Sequence, residues 1–152
     1  SYVSLRLANI CGPRLSIGPI PTFYKRLLSG KDCFCTNATR DFLDMTDFLD
    51  LMDKILHNDL SKGTYNVSTG IGYSISDVFN TVANFLGKND VKAPVMPVGD
   101  DDVETVVLDP AETETIFNWK ARVPFKQMIE NQLLWYEKYG VKEVYSHLEI
   151  QG

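Results

Sequence analysis

RLANICGPR, the stretch at residues 6–14, joins a short apolar strand pattern to an abrupt turn. The strand pattern starts at Tyr2 and is predicted to end near Ala8 or Asn9, because Gly12-Pro13 interrupts strand pairing. In an open α/β sheet, ligands bind beyond the carboxyl ends of the strands. An amide at such an end can both donate and accept hydrogen bonds, so Asn9 is the first candidate ligand-binding residue.

The composition is that of an ordinary globular chain with an acidic balance. Its 152 residues are 44% hydrophobic and 23% charged, which is enough for one domain with a real core. The formal net charge of −5 argues against a nucleic-acid-binding surface, which needs an excess of Lys and Arg. A small anionic ligand is still compatible with this charge, because one or two well-placed arginines suffice to bind it.

The cysteine content and the hydropathy of the chain bear on its location and on which ligands and partners it lacks. Cys11, Cys33 and Cys35 are odd in number, and with only two histidines in the chain they favour buried thiols in a reduced cytosol over a metal site. No apolar run reaches the roughly 18 residues of a membrane span. We therefore expect a cytoplasmic protein with no metal and with neither nucleic acid nor membrane as a partner.

Strand and helix patterns mix along the rest of the chain without a strict βαβ rhythm. Apolar spacing and capping signals predict helices that start near Pro19, at Thr46 or Asp47, after an N-cap at Ser76, at Asp109-Pro110 and at Pro124. Extended segments are predicted at residues 33–36, 40–44, 65–68, 95–96 and 104–108. The pattern predicts a small α/β unit with mixed strands.

Three short motifs each allow a structural and a functional interpretation. Gly70-Ile71-Gly72 is favoured as a tight turn between a strand and a helix, with backbone close to a ligand as the alternative. Residues 100–102 (DDD) are favoured as a solvated acidic loop over a cation site, because EF-hand spacing is missing. Arg40 either forms a surface ion pair with Asp41 or clamps a phosphate, and composition does not choose between the two.

Five segments, taken in order, resemble the extended short-chain dehydrogenase/reductase family of nucleotide-sugar epimerases and dehydratases. They lie at residues 5–14 (LRLANICGPR), 40–47 (RDFLDMTD), 65–70 (YNVSTG), 109–120 and 135–136 (WY). The resemblance covers almost the whole chain, and it is greatest to the branch found in bacterial O-antigen and lipopolysaccharide pathways.

The resemblance implies an α/β fold that is the C-terminal fragment of a Rossmann-type member of this family. Residues 1–14 would be a residual strand of the dinucleotide-binding sheet with its exit turn, and residues 15–152 would be a small mixed α/β nucleotide-sugar-binding lobe. The chain begins with Ser1 rather than Met, and the family's Tyr-x-x-x-Lys acid/base pair precedes the strand on which it opens. We therefore expect a fragment that contains no catalytic residue and is inactive alone.

The resemblance also implies roles for particular positions. Asn9 and Arg40 would hold the substrate diphosphate, Phe34 would pack near the base and Asp100 would hold the ribose. The full set of implied substrate-binding residues is Asn9, Ile20, Pro21, Thr22, Phe34, Arg40, Ile71 and Asp100, and Leu7 and Ala8 would lie near the nicotinamide of NAD.

The function implied for the full-length parent is that of an NAD-dependent epimerase or dehydratase of UDP- or dTDP-linked sugars. A UDP-sugar 4-epimerase of cell-surface polysaccharide biosynthesis, acting as a homodimer, is the favoured form. A 4,6-dehydratase or decarboxylase of the same family is one alternative. A non-catalytic nucleotide-binding module is another, and Pro97, where the family often has Arg, favours it, whereas Asn9 and Arg40 favour the enzyme.

Overall fold

A computed structural model describes residues 2–57 and 62–141 of the chain. Short strands and five helices alternate irregularly in these residues, which confirms the predicted mixed α/β class. In chain order the elements are β1 (Val3–Leu7), β2 (Asn9–Cys11), α1 (Pro19–Leu28), β3 (Cys35–Thr36), β4 (Thr39–Arg40), β5 (Phe42–Asp44), α2 (Met45–Leu56), β6 (Gly63–Val67), β7 (Tyr73–Ser74), α3 (Ile75–Phe85), β8 (Val95–Met96), β9 (Thr105–Val106), α4 (Ala111–Phe117) and α5 (Phe125–Tyr139).

The opening apolar stretch forms two strands rather than the predicted single one. β1 pairs in parallel with β6, and β2 pairs in parallel with β5. The backbone changes partner at Ala8 and Asn9, whose N–H groups donate to the carbonyls of Val67 (2.9 Å) and Asp41 (3.0 Å). Asn9 therefore lies where β1 ends beside one strand and β2 begins beside another.

The remaining strands form two small sheets, and residues from both lie near Asn9. β3 pairs in parallel with β8, while β4 lies between the antiparallel β7 and the parallel β9. The segments predicted as strands at residues 33–36 and 104–108 shorten to two residues each, because only those residues meet a partner strand. The predicted division at residue 14 stays a prediction, and residues 58–61 and 142–152 of the predicted lobe lie outside the described residues.

Side-chain capping decides where α2 and α3 begin, and both starts differ from the predicted ones. α3 begins with a capping box between Ser74 and Asp77, so the predicted N-cap at Ser76 was wrong by two residues. α2 begins at Met45 because the Asp44 carboxylate accepts the Thr46 N–H at 2.7 Å. α5 begins after Pro124 as predicted.

The core consists of two clusters of buried side chains. The larger cluster packs α1, α3 and α5 together and includes an edge-on contact between Phe23 and Phe79, with ring centroids 5.3 Å apart. The smaller cluster packs α2 and α4 against β1 and β6, and its Trp119 indole N–H donates to the Asp47 carbonyl at 3.0 Å. No helix in either described range is both long and apolar enough to cross a membrane.

Gly12 in the opening motif is required by close packing against α2. A Cβ added at Gly12 would lie 2.5 Å from the Cβ of Met45, an atom that side-chain rotation cannot move away. Gly12→Ala is therefore expected to lower the free energy of unfolding by about 1–3 kcal/mol, as overpacking does. Gly99→Ala is the matched control in urea unfolding, because a Cβ there meets nothing within 4 Å, and equal effects of the two variants would contradict the packing argument.

Candidate functional site

A cleft of about 600 Å³ lies beside α1, at the point where the opening strands end. One wall is the backbone and side chains of residues 8–11, and a second wall is the inner face of α1. Asp102 closes one side of it. The full lining comprises Ala8, Asn9, Ile10, Cys11, Leu15, Ile17, Gly18, Pro19, Ile20, Thr22, Phe23, Arg26, Phe34, Thr36, Ala38, Arg40, Phe42, Ile75 and Asp102.

Alternate residues of the stretch 34–40 form the third wall of the cleft. Phe34, Thr36, Ala38 and Arg40 all line it, two residues apart, on a stretch in which a bend at Asn37 separates β3 from β4. Cys35, on the opposite face of this segment, borders a separate pocket. The ring of Phe34 and the guanidinium of Arg40 thus belong to the first and the last of these four cleft-lining residues.

Arg40 is held in the cleft by three acceptors. Its Nη1 donates to the carbonyls of Thr39 (2.9 Å) and Glu104 (3.1 Å), and its Nη2 donates to Asp102 Oδ1 (2.8 Å). The side chain is 18% exposed. Its Nε–H has no partner among the described residues, so the guanidinium can still donate to an anion in the cleft.

The ion pair considered between Arg40 and Asp41 does not form. Asp41 is 1% exposed and faces the opposite way, where its carboxylate accepts from Thr69 N (3.1 Å), Thr69 Oγ1 (2.6 Å) and Gly70 N (2.8 Å). Its backbone carbonyl accepts from both the backbone N–H and the side-chain Nδ2 of Asn9, the latter at 2.9 Å. Asp41 is therefore a positioning residue that ties Asn9 and the residue 69–70 turn to Arg40.

The two glycines of residues 70–72 serve the turn rather than the cleft. Neither lines the cleft, and Gly70 has a φ of +73° that favours glycine. A Cβ at Gly72 would meet the side chains of Thr39 at 2.7 Å and Val107 at 2.9 Å. The structural interpretation of this motif is thus the one that the packing supports.

Asn9 presents an oriented amide to the cleft. Because Nδ2 is bonded to the Asp41 carbonyl, the side-chain oxygen and the second Nδ2 hydrogen are the groups left for a ligand. The side chain is exposed where β1 gives way to β2. This is the strand-end position from which the sequence predicts ligand binding.

Arg26 is a second arginine in the cleft, and sequence reasoning missed it because no motif marks its position. It lies one helical turn after Thr22 on α1, and its Nε donates to the Asp32 carbonyl at 2.6 Å. Burial raises the pKa of the Cys33 thiol, and the nearby Arg26 guanidinium opposes that rise. Among the residues that the structure describes, no carboxylate lies within ion-pair distance of Arg26.

The thiol that lines the cleft is not an activated nucleophile. Burial, together with the Asp44 carboxylate, raises the pKa of Cys11 to about 12. Its thiolate is therefore a minute fraction at neutral pH. Within residues 2–57 and 62–141, no group of three or more His, Cys, Asp and Glu side chains is placed to hold a metal ion.

The structure brings six of the ten predicted site residues to the cleft and leaves four outside its lining. The six are Ala8, Asn9, Ile20, Thr22, Phe34 and Arg40. Pro21 is buried in α1, while Leu7 (47%) and Ile71 (54%) are exposed elsewhere. Asp100 is exposed outside the lining, and Asp102, two residues further on, occupies the position beside Arg40.

Comparisons with known proteins agree with the motif resemblance. The sequence profile described as GDP-mannose 4,6 dehydratase matches residues 2–132. UDP-glucose 4-epimerase of Pasteurella multocida (strain Pm70) is 31% identical over 133 residues, which are 82% of this chain and 37% of that protein.

Solved structures are similar over nearly the whole chain. The Bordetella bronchiseptica enzyme WbmG in complex with NAD is 57% identical, with a TM-score of 0.88, over 96% of this chain and 46% of that one. The same enzyme in complex with NAD and UDP is 56% identical, with a TM-score of 0.89, over 96% of this chain and 47% of that one. WbmH of the same organism, in complex with NAD+, is 31% identical, with a TM-score of 0.83, over 91% of this chain and 46% of that one.

The chain spans less than half the length of each of these relatives. The family assignment rests on the profile, which matches residues 2–132, and on the relative that is 31% identical over most of the chain. The strand-end cleft agrees with it. The chain belongs to the extended short-chain dehydrogenase/reductase family of nucleotide-sugar epimerases and dehydratases.

Proposed function

We propose that this chain is the nucleotide-sugar-binding part of an NAD-dependent UDP-sugar 4-epimerase of cell-surface polysaccharide biosynthesis. The observation that carries the proposal is the strand-end cleft in which Asn9 and Arg40 converge. The 56% identity to WbmG, whose structure holds NAD and UDP, supports the choice of cofactor and of nucleotide.

The charges of the cleft suit a nucleoside diphosphate. Arg26 and Arg40 line it against a single carboxylate, Asp102, so the lining carries a formal charge of about +1 in a chain of net charge −5. In the proposed complex, Arg40 and Asn9 donate to the diphosphate, and Asp102 rather than Asp100 accepts from ribose hydroxyls. Charge-assisted bonds of this kind are the stronger class of hydrogen bond.

The residues expected near the cofactor fit a flat apolar ring. Leu7 exposes nearly half of its surface at the end of β1, and Ala8 borders the cleft beside Asn9. An apolar side chain and a methyl group offer the nicotinamide of NAD a surface without unsatisfied polar atoms. When bound, NAD supplies hydride acceptance from the sugar and hydride return.

The contribution of this chain to catalysis is substrate positioning. A diphosphate fixed by Arg40 and Asn9 limits how the attached sugar can lie, and correct placement of reacting atoms lowers the entropic part of the barrier. The proposal assigns no acid, base or nucleophile to this chain. The homodimer and the cytoplasmic location implied by the family resemblance stay predictions.

A dehydratase outcome is the second candidate, because the matching profile carries the description GDP-mannose 4,6 dehydratase. A binding module without catalysis is the third. The deciding experiment incubates the full-length protein with NAD and UDP-glucose or UDP-N-acetylglucosamine, and follows the sugar signals by proton NMR. Appearance of the 4-epimer is the expected result, a 4-keto-6-deoxy sugar would identify a dehydratase, and UDP binding without turnover of either sugar would favour the module.

A further inference from the structure

We propose that Arg26 recognises the nucleobase of the bound nucleotide by donating to the carbonyl at position 4 of a uracil or thymine ring packed on Phe34. The cleft would then select uridine or thymidine nucleotides over cytidine nucleotides. This inference rests on the proposed function and names the residue that would determine its base specificity.

Local geometry holds the Arg26 guanidinium beside residues 32–33, directly before Phe34 in the chain. The Nε–H is bonded to the carbonyl of Asp32, two residues before Phe34, and both Arg26 and Phe34 line the cleft. A bond from Nε fixes the plane of the guanidinium while leaving the two terminal nitrogens to face a ligand. The Phe34 ring in the same cleft is the kind of surface on which nucleobases stack.

The separation of the two arginines assigns them to different parts of the ligand. Phe34, Thr36, Ala38 and Arg40 are alternate residues that all line the cleft, along a stretch that contains β3, a bend at Asn37 and β4. Arg40 ends this stretch, whereas Arg26 is bonded to Asp32 just before its beginning. A diphosphate on Arg40 therefore leaves Arg26, at the Phe34 end, for the base.

The presence or absence of a carboxylate partner also favours different ligand groups for Arg40 and Arg26. Arg40 is paired with Asp102, whereas Arg26 has no carboxylate partner in the described part of the chain. Because a guanidinium only donates, its partner on a base must be an acceptor. Uracil and thymine offer a carbonyl at position 4, while cytosine has an amino group there, which is another donor and would leave both groups unpaired.

The test compares the affinities of UDP and CDP for the full-length protein by calorimetry. Wild-type protein is expected to prefer UDP by roughly 10- to 150-fold, the range that one hydrogen bond from a charged donor discriminates. In Arg26→Ala this preference should fall to near 1, and Arg26→Gln, which keeps a good helix former, should show the same loss if the alanine variant does not fold. Lys25→Ala is the matched control, because Lys25 is exposed on the same helix outside the cleft lining and should keep the preference.

The remaining outcomes separate this inference from the proposed function. Arg40→Ala should weaken UDP and CDP by the same factor and leave their ratio unchanged. Equal wild-type affinities for UDP and CDP, or an unchanged ratio in Arg26→Ala, would overturn the role of Arg26 while leaving the nucleotide site intact. If wild-type protein binds neither nucleotide, the proposed function fails and this inference fails with it.

Discussion

Arg40→Ala is expected to weaken UDP binding roughly 10- to 150-fold, which corresponds to about 1.5–3 kcal/mol of charge-assisted hydrogen bonding. The Arg40 guanidinium is mostly shielded from solvent and is held by two backbone carbonyls and Asp102. Because these contacts hold it in place before the ligand arrives, little side-chain entropy is lost on binding. Calorimetry on the full-length protein measures the change.

Arg122→Ala is the matched control for this experiment. Arg122 is exposed, and its bond to the Asp47 carboxylate comes from the backbone N–H, which alanine retains. Arg40→Lys should recover only part of the affinity, because an ammonium keeps the charge but lacks the planar fork. If Arg40→Ala binds UDP as well as Arg122→Ala does, Arg40 does not contact the diphosphate.

Asp41→Asn is expected to lower the free energy of unfolding by about 2–4 kcal/mol, because bonds to a buried carboxylate are of the stronger class. One carboxylate oxygen accepts from both groups of Thr69 and the other accepts from the Gly70 N–H. An amide keeps only one acceptor oxygen and turns a donor toward one of these partners. Urea unfolding gives the free energy, and UDP affinity should fall as well, because the Asp41 backbone orients Asn9.

Two further variants serve as a surface control and as a milder change to the same hydrogen-bond network. Asp101→Asn should change the free energy of unfolding by no more than about 0.5 kcal/mol, because Asp101 is exposed in the loop. Thr69→Val removes the hydroxyl that donates to Asp41 and accepts from the Ile71 N–H at 3.2 Å, and it should cost about 1–2 kcal/mol, so it reports on the same network if Asp41→Asn does not fold. Stability of Asp41→Asn equal to that of Asp101→Asn would show that the buried network contributes nothing.

Several of the predicted site residues that line the cleft lie in short contiguous motifs. Asn9 lies where β1 gives way to β2, three residues before Gly12-Pro13, and the family resemblance implied Phe34 and Arg40. In such motifs the direction of a side chain follows from local backbone geometry alone. Local rules were less accurate for boundaries, as the α3 start at Ser74 shows, since two neighbouring serines offer the same capping chemistry.

The cleft residues that the sequence did not indicate depend on contacts distant in sequence. Asp102 reaches Arg40 across 62 residues, whereas Asp100, which has the same chemistry, is exposed outside the cleft lining. Arg26 belongs to the cleft because α1 packs beside residues 32–34, and the apolar pattern of α1 contains no sign of this. The role of Asp41 likewise appears only when the residue 69–70 turn folds back on it.

Periodicity, capping and turn residues in the sequence determined the α/β class, the presence of the helices and the candidacy of Asn9, because these signals act over a few positions. The family followed from the resemblance of five motifs. Only the tertiary structure decided which strands pair, which aspartate joins Arg40 and which second arginine lines the cleft. The physical reason is that equivalent local groups, such as the three aspartates at residues 100–102, differ only in the partners that chain folding brings to them.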